Sequence, residues 1–179
     1  MKSGQSIESG KTAGDRRRSR TVRRLPKLSI AVASSCHLIL AARATTGMGG
    51  DQPHFEPLLF DAWRRADVGV IVADAGYDSE ENHRIGRLDM GVQTIIPPNA
   101  GRPTDNLPPT EFRRLMRERF DREADKSTYG QRWQVETVNS MIKRNLGSAL
   151  RARTARRRSM ELLLRCITHN IMVLEGTEP

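Results

Sequence analysis

Val68-Gly-Val-Ile-Val-Ala-Asp74-Ala-Gly-Tyr-Asp78 is an apolar, largely β-branched run that stops abruptly at an acid. Such a run predicts a strand covered on both faces, with Asp74 at its carboxyl end and Gly76 letting the chain turn sharply. Upstream, Leu28–Ser34 and Leu38–Ala44 are strand candidates joined by a short connection at Ser35-Cys36-His37. Gly47-Met-Gly-Gly50 breaks the pattern, and Pro57–Ala66 reads as an amphipathic helix starting at its proline. Downstream, Asp78 with Glu81 three residues on resembles a helix cap, opening a helix to about Leu88. Val92–Ile96 is a second buried strand, stopped by Pro97-Pro98, and a Gly- and Pro-rich loop follows over Asn99–Asn106. Helices are predicted over Thr110–Arg122, Thr128–Leu146 and Arg156–Leu174, with no internal repeat. The order is that of an α/β protein, a mixed sheet flanked by helices.

The 179 residues favour one domain, with a flexible basic arm over residues 1–24 (Arg16-Arg-Arg-Ser-Arg-Thr-Val-Arg-Arg24) and a folded unit over 25–175. Lysine and arginine number 30 against 21 acids, a net charge of +9. That balance points to a polyanionic partner, DNA or RNA. No apolar run approaches the ~20 residues needed to span a bilayer, so no membrane partner is expected. Met1-Lys-Ser-Gly-Gln-Ser6 has no apolar core of the secretory-signal kind. Cys36 and Cys166 lack metal-ligand spacing and read as reduced core residues. His37, His54, His83 and His169 share no ligand spacing and read as structural or surface residues.

The chemistry concentrates in the helix predicted over Thr128–Leu146. At about 100° per residue, Tyr129, Arg132, Glu136 and Lys143 fall within an arc of roughly 60°. The adjoining arc carries Val135, Val138, Ile142 and Leu146, which would dock the helix on a sheet. A carboxylate between two cations and a phenol, on a basic protein, suggests phosphate chemistry. Two-metal phosphoryl transfer uses carboxylates on both sides of the scissile phosphate, and magnesium prefers such hard oxygen ligands. Asp74 and Glu136 are therefore the candidate catalytic acids and metal ligands. Arg132 can fork onto a phosphate, Lys143 supplies a point charge, and Tyr129 can hydrogen-bond or stack on DNA. Arg151, Arg153 and Arg156, with Arg157 and Arg158, form a candidate DNA-backbone contact.

Tyr129-x2-Arg132-x3-Glu136-x6-Lys143 resembles the Y-R-E-K motif of bacterial insertion-sequence transposases of the insertion-sequence-4 superfamily. Val72-Ala-Asp-Ala-Gly-Tyr-Asp78 looks like the block around that family's second catalytic aspartate. Pro26-Lys-Leu-Ser-Ile30 followed by His37-Leu-Ile-Leu40 is similar to the preceding strand pair. The resemblance runs from about residue 16 to 174. It implies a ribonuclease-H-like fold and a DDE-type catalytic core using Mg²⁺ or Mn²⁺. It also implies nicking at transposon ends, strand transfer of the freed 3′-hydroxyl into target DNA, homo-oligomers on DNA and a cytoplasmic, nucleoid-associated location. The family's first aspartate has no counterpart here. Asp15 lies in the basic arm and Asp51 in a Gly-rich loop, so neither matches. The expectation is a truncated copy lacking the first strand, which belongs between the hairpin and the Asp74 strand and leaves two unpaired edges. Only 61 residues separate Asp74 from Glu136, leaving no room for a large inserted β domain.

Each feature also has a plainer reading. Asp74 can cap the turn before Gly76. Glu136 with Arg132 can be an ordinary i, i+4 helix pair. Tyr129 can pack at a helix start, Trp133 can fill core or interface, and the arginine cluster can be a solvated face. At the level of function, the alternatives are a non-catalytic DNA-binding or regulatory transposase fragment and a ribonuclease-H-like nuclease unrelated to transposition. The leading expectation is an insertion-sequence transposase, truncated and weakly active or inactive.

Overall fold

Small and β-branched residues alternate through strands β1 (Lys27–Val32) and β2 (Ile39–Thr45), which pair antiparallel with Leu28 opposite Ala44 and Ile30 opposite Ala42. The register shifts by a bulge between Ala31 and Val32. The connection closes through the Ala33 N–H donating to the Leu38 carbonyl at 2.9 Å. His37 takes a left-handed φ of 60° there. It is held from both ends: its Nε2 meets Gln134 Oε1 at 2.5 Å, and its carbonyl accepts from His169 Nε2 at 3.0 Å. The computed structural model describes residues 26–45, 49–99 and 107–176. The proposed arm over 1–24 and most of the loop over 99–106 lie outside the described residues.

Helix α1 (Phe55–Trp63) follows a 3₁₀ turn, Gln52–His54. It starts two residues before Pro57, not at it, because the first turn of a helix has no use for the missing N–H. Its Phe55 and Leu59 pack with Val92 and Ile96, and its Leu58 and Ala62 with Ala41. One helix thus supports two separate pieces of sheet. The second piece is strand β3 (Val70–Val72) paired parallel with β4 (Gln93–Ile95), Val72 opposite Ile95. The crossover between them is α2 (Glu80–Arg84) continued by a π-helical turn, Ile85–Asp89.

The residue capping α2 is Ser79, whose hydroxyl accepts from the Asn82 N–H at 3.1 Å, and not Asp78. Asp78 is buried in a long-range ion pair. Arg113 of α3 (Glu111–Asp121) grips its carboxylate at 2.9 to 3.2 Å, and the Asn99 N–H donates to it at 2.9 Å. Burial alone would raise the Asp78 pKa. The His83 ring at 3.7 Å, the Arg113 fork and the Asn99 N–H outweigh that and bring it down to about 2.

The helix predicted over Thr128–Leu146 is two helices, α4 (Lys126–Gly130) and α5 (Trp133–Leu146). Between them the hydrogen bonds tighten to i→i−3: Gln131 to Thr128, Arg132 to Tyr129 and Val135 to Arg132. Gly130 weakens the helix where it breaks. The inward stripe of α5 survives the break, with Val138 and Ile142 buried against Ile39, Cys166 and the hairpin. Trp133 is 53 % exposed, so it is not core filler. Helix α6 (Ala155–Glu175) lies along β2, and its Asn170 amide donates to the Ile39 carbonyl and accepts from the Ile39 N–H at 2.8 to 2.9 Å. That amide satisfies both backbone groups of Ile39 at the start of the strand.

The α/β class holds. Among the described residues the strands form two two-stranded sheets, β1–β2 and β3–β4. A cleft of about 250 Å³ separates them, lined by Ile30, Ala31 and Val32 of β1 and by Val70, Ile71 and Val72 of β3. Each of those strands pairs with one described neighbour only. Hence Val70 is 44 % exposed, where a strand covered on both sides would bury it.

Candidate active site

The turn after β3 presents Asp74 at the mouth of this cleft. The Asp74 backbone is extended (φ −70°, ψ 159°), and its carbonyl accepts from the Tyr77 N–H at 2.9 Å to close a 3₁₀ turn over Ala75–Tyr77. Its side chain makes no capping bond to that turn, so the carboxylate is available for another partner. The partner is Arg132, at the tightened junction of α4 and α5. Arg132 Nη1 lies 3.0 Å from Asp74 Oδ1, and its Nη2 lies 2.7 Å from Glu136 Oε1. One guanidinium therefore joins an acid from a strand end to an acid on a helix. Both carboxylates are more than half exposed, at 59 % and 64 %, so solvent, ions and a nucleic-acid backbone can reach them.

Tyr129 completes the group from α4. Its ring stands edge-on to Phe120 with centroids 5.2 Å apart, and its hydroxyl faces Arg132. Burial raises its pKa, with Asp74 and Glu136 adding to the effect against the pull of Arg132. Arg132 keeps its charge firmly. Burial would lower its pKa, but Asp74 first, then Glu136 and Tyr129, hold it above the usual value.

Other candidates lie apart. Lys143 is exposed on α5, about 10 Å along the axis from Glu136. Arg151 and Arg153 lie on the segment between α5 and α6, and Arg156 lies in the first turn of α6; all three are exposed. Arg158, by contrast, turns back to donate to the Ala152 carbonyl at 2.9 Å.

Glu161 and Arg165 organise this segment, although the sequence alone does not single them out. Glu161 accepts from the Arg151 and Ala152 N–H groups at 2.9 to 3.1 Å, while Arg165 donates to the Gly147 and Ala149 carbonyls at 2.5 and 2.6 Å. Their i, i+4 spacing is the available signal. Asp51 pairs with Lys27 and lies near Gly76. It does not join the other two acids: among the described residues no group of three or more His, Cys, Asp or Glu side chains is placed to hold a metal.

The Asp74–Glu136 pair suits a hard divalent cation in kind. Both ligands are oxygen anions, both are accessible, and a cation already sits between them. In number, two carboxylates serve one ion completed by water more readily than two.

Among the described residues no helix is long and apolar enough to cross a membrane. No curated protein and no solved structure matches the chain. Residues 3–171, nearly the whole length, match the family described as the transposase DDE domain. A strand-end aspartate and a helical glutamate brought to one rim accord with that match, and the chain belongs to the transposase DDE domain family.

Proposed function

We propose that this chain is the ribonuclease-H-like catalytic core of an insertion-sequence transposase of the Y-R-E-K group. In this reading it acts on transposon ends and target DNA. The observation that carries the reading is the bridge from Arg132 to Asp74 and Glu136 at 3.0 and 2.7 Å, which brings together acids 62 positions apart. Asp74 and Glu136 would hold Mg²⁺ or Mn²⁺. Such an ion, when bound, neutralises charge on the scissile phosphate and makes a water or 3′-hydroxyl a better nucleophile. Arg132 orients a phosphate through its fork, and the Tyr129 hydroxyl beside it donates to the same backbone. Lys143, Arg151, Arg153 and Arg156 extend the contact along the duplex as exposed cations.

A third carboxylate is needed for a two-ion site. The cleft between β1 and β3 suits a strand that would carry it, because it offers an unpaired edge on each side and opens at Asp74. In this reading the two acids of the described residues support nicking weakly or not at all without a third. This favours a second reading, a DNA-binding transposase fragment that competes for transposon ends without cutting them; the described residues' lack of a three-acid cluster supports it.

Paramagnetic broadening by Mn²⁺ tests the site without requiring activity. Asp74→Asn and Glu136→Gln should each abolish selective broadening around β3 and α5. If both variants broaden as the parent does, these acids are not the ligands. Mg²⁺-dependent nicking of a transposon end by the parent, lost in Asp74→Asn, would overturn the non-cutting reading.

A further inference from the structure

The chain between α5 and α6 has no regular secondary structure, yet its backbone is fastened along its length. Glu161 and Arg165, one turn apart on α6, do the fastening. The Glu161 carboxylate accepts from the Arg151 N–H through both oxygens, at 3.0 and 3.1 Å, and from the Ala152 N–H at 2.9 Å. Those N–H groups, Ala152 first, keep the Glu161 carboxyl below its ordinary pKa. The Arg165 fork donates to the Gly147 carbonyl at 2.5 Å and to the Ala149 carbonyl at 2.6 Å, and meets Glu161 at 2.7 Å. Arg158 holds the Ala152 carbonyl at 2.9 Å. Ala152 is half-buried, and the arginines on either side of it, Arg151 and Arg153, are exposed.

Charge alone gives Glu161 no reason to be here, since a carboxylate beside a run of arginines weakens the attraction for a polyanion. What it contributes is geometry. We infer that Glu161 and Arg165 are positioning residues for DNA binding, which lock residues 147–152 so that Arg151 and Arg153 meet the phosphates together. The inference rests on the reading of those two arginines as DNA-backbone contacts. An unfastened segment would have to be ordered as DNA binds, and that ordering costs affinity. Arg165 suits the task because its planar fork reaches two carbonyls at once while cancelling the Glu161 charge.

Fluorescence anisotropy of the full chain on a labelled duplex, repeated over a range of salt, tests the clamp. Glu161→Ala makes the chain more positive, so on charge alone it should bind DNA more tightly. The clamp predicts the reverse. Binding should weaken, and the slope of log K against log salt should fall by up to about 0.9 for each arginine no longer held on a phosphate. Glu161→Gln, which keeps an acceptor oxygen, should lie between the parent and Glu161→Ala. A mere loss of folded protein would weaken binding at an unchanged slope, and circular dichroism checks for it. In an Arg151→Ala, Arg153→Ala background, adding Glu161→Ala should weaken nothing further. Equal or tighter binding by Glu161→Ala, an unchanged slope, or a further loss in that background overturns the clamp alone. Should Arg151→Ala with Arg153→Ala itself leave the slope unchanged, the DNA contact assigned to those arginines falls, and the clamp with it.

Discussion

Gly86→Ala puts a methyl group where the fold has no room. A Cβ at this position would stand 2.4 Å from Thr94 Cγ2 and 3.7 Å from Leu59 Cδ2. Thr94 is fully buried, and its hydroxyl meets His83 Nδ1 at 2.7 Å and accepts from Arg87 Nε at 2.8 Å. Rotating the threonine methyl away would break both bonds, so the backbone of the π turn must shift instead. That backbone is itself committed, since the Gly86 carbonyl accepts from the Val92 N–H at 2.7 Å just before β4. Overpacking a committed site costs about 2–3 kcal/mol, a fall in Tm of roughly 4–12 °C for a chain of this size.

Thr94→Ser removes the offending methyl and keeps the hydroxyl. Alone it should cost about 1 kcal/mol through poorer packing. Combined with Gly86→Ala it should recover about 1 kcal/mol or more relative to the sum of the single losses. Urea unfolding followed by far-UV circular dichroism measures all four corners of this cycle. Single losses that simply add, or a Gly86→Ala variant within about 0.5 kcal/mol of the parent, would refute the steric account.

Three further outcomes are expected. Asp78 has its folded pKa lowered from 3.8 to about 2, so its contribution is present above pH 4 and is lost as pH falls from about 4 to 2. The loss amounts to about 2 kcal/mol, and urea titrations across that window should show it in the parent and not in Asp78→Asn. Arg132→Gln removes the cation competing for the two acids and should raise Mn²⁺ affinity about fivefold at low ionic strength, as read by calorimetry; an unchanged affinity would mean that the ion binds elsewhere. Replacing Arg151, Arg153 and Arg156 with alanine should lower the slope of log K against log salt for duplex DNA by up to about 0.9 for each phosphate no longer neutralised, with no change in thermal stability.

The sequence exposes what depends on local pattern and conceals what depends on distant partners. Runs of apolar residues locate both strand pairs, and the 3.6-residue period of α5 identifies Val138 and Ile142 as its buried side. The tightening at Gln131–Val135 is hidden because Gly130 costs a helix little unless packing exploits it. Local pattern favours Asp78 over Ser79 as the cap, and only Arg113, 35 residues away, explains why Asp78 is drawn inward instead. Within the π turn Gly86 lies against Thr94, a contact between a helix and a strand that no local window reveals.

The bridge at Arg132 separates a local interaction from a tertiary one. An arginine and a glutamate at i, i+4 pair on any exposed helix and contribute a few tenths of a kcal/mol; had the structure shown nothing more, Glu136 would be an ordinary surface residue. Asp74 has no such local reason to be there. It arrives on a different element, declines the turn-capping bond within its reach, and shares the same guanidinium with Glu136. Two acids drawn to one rim repel each other unless a cation lies between them, and here the cation is a partly exposed side chain, not a buried lysine or a backbone dipole. In the proposed reaction that placement suits an exchange. Were a divalent ion held by Asp74 and Glu136, the Arg132 guanidinium would be free to turn its fork toward a phosphate. The Arg132 side chain therefore bears on both, opposing ion binding as a competitor for the acids and favouring DNA binding as a phosphate ligand.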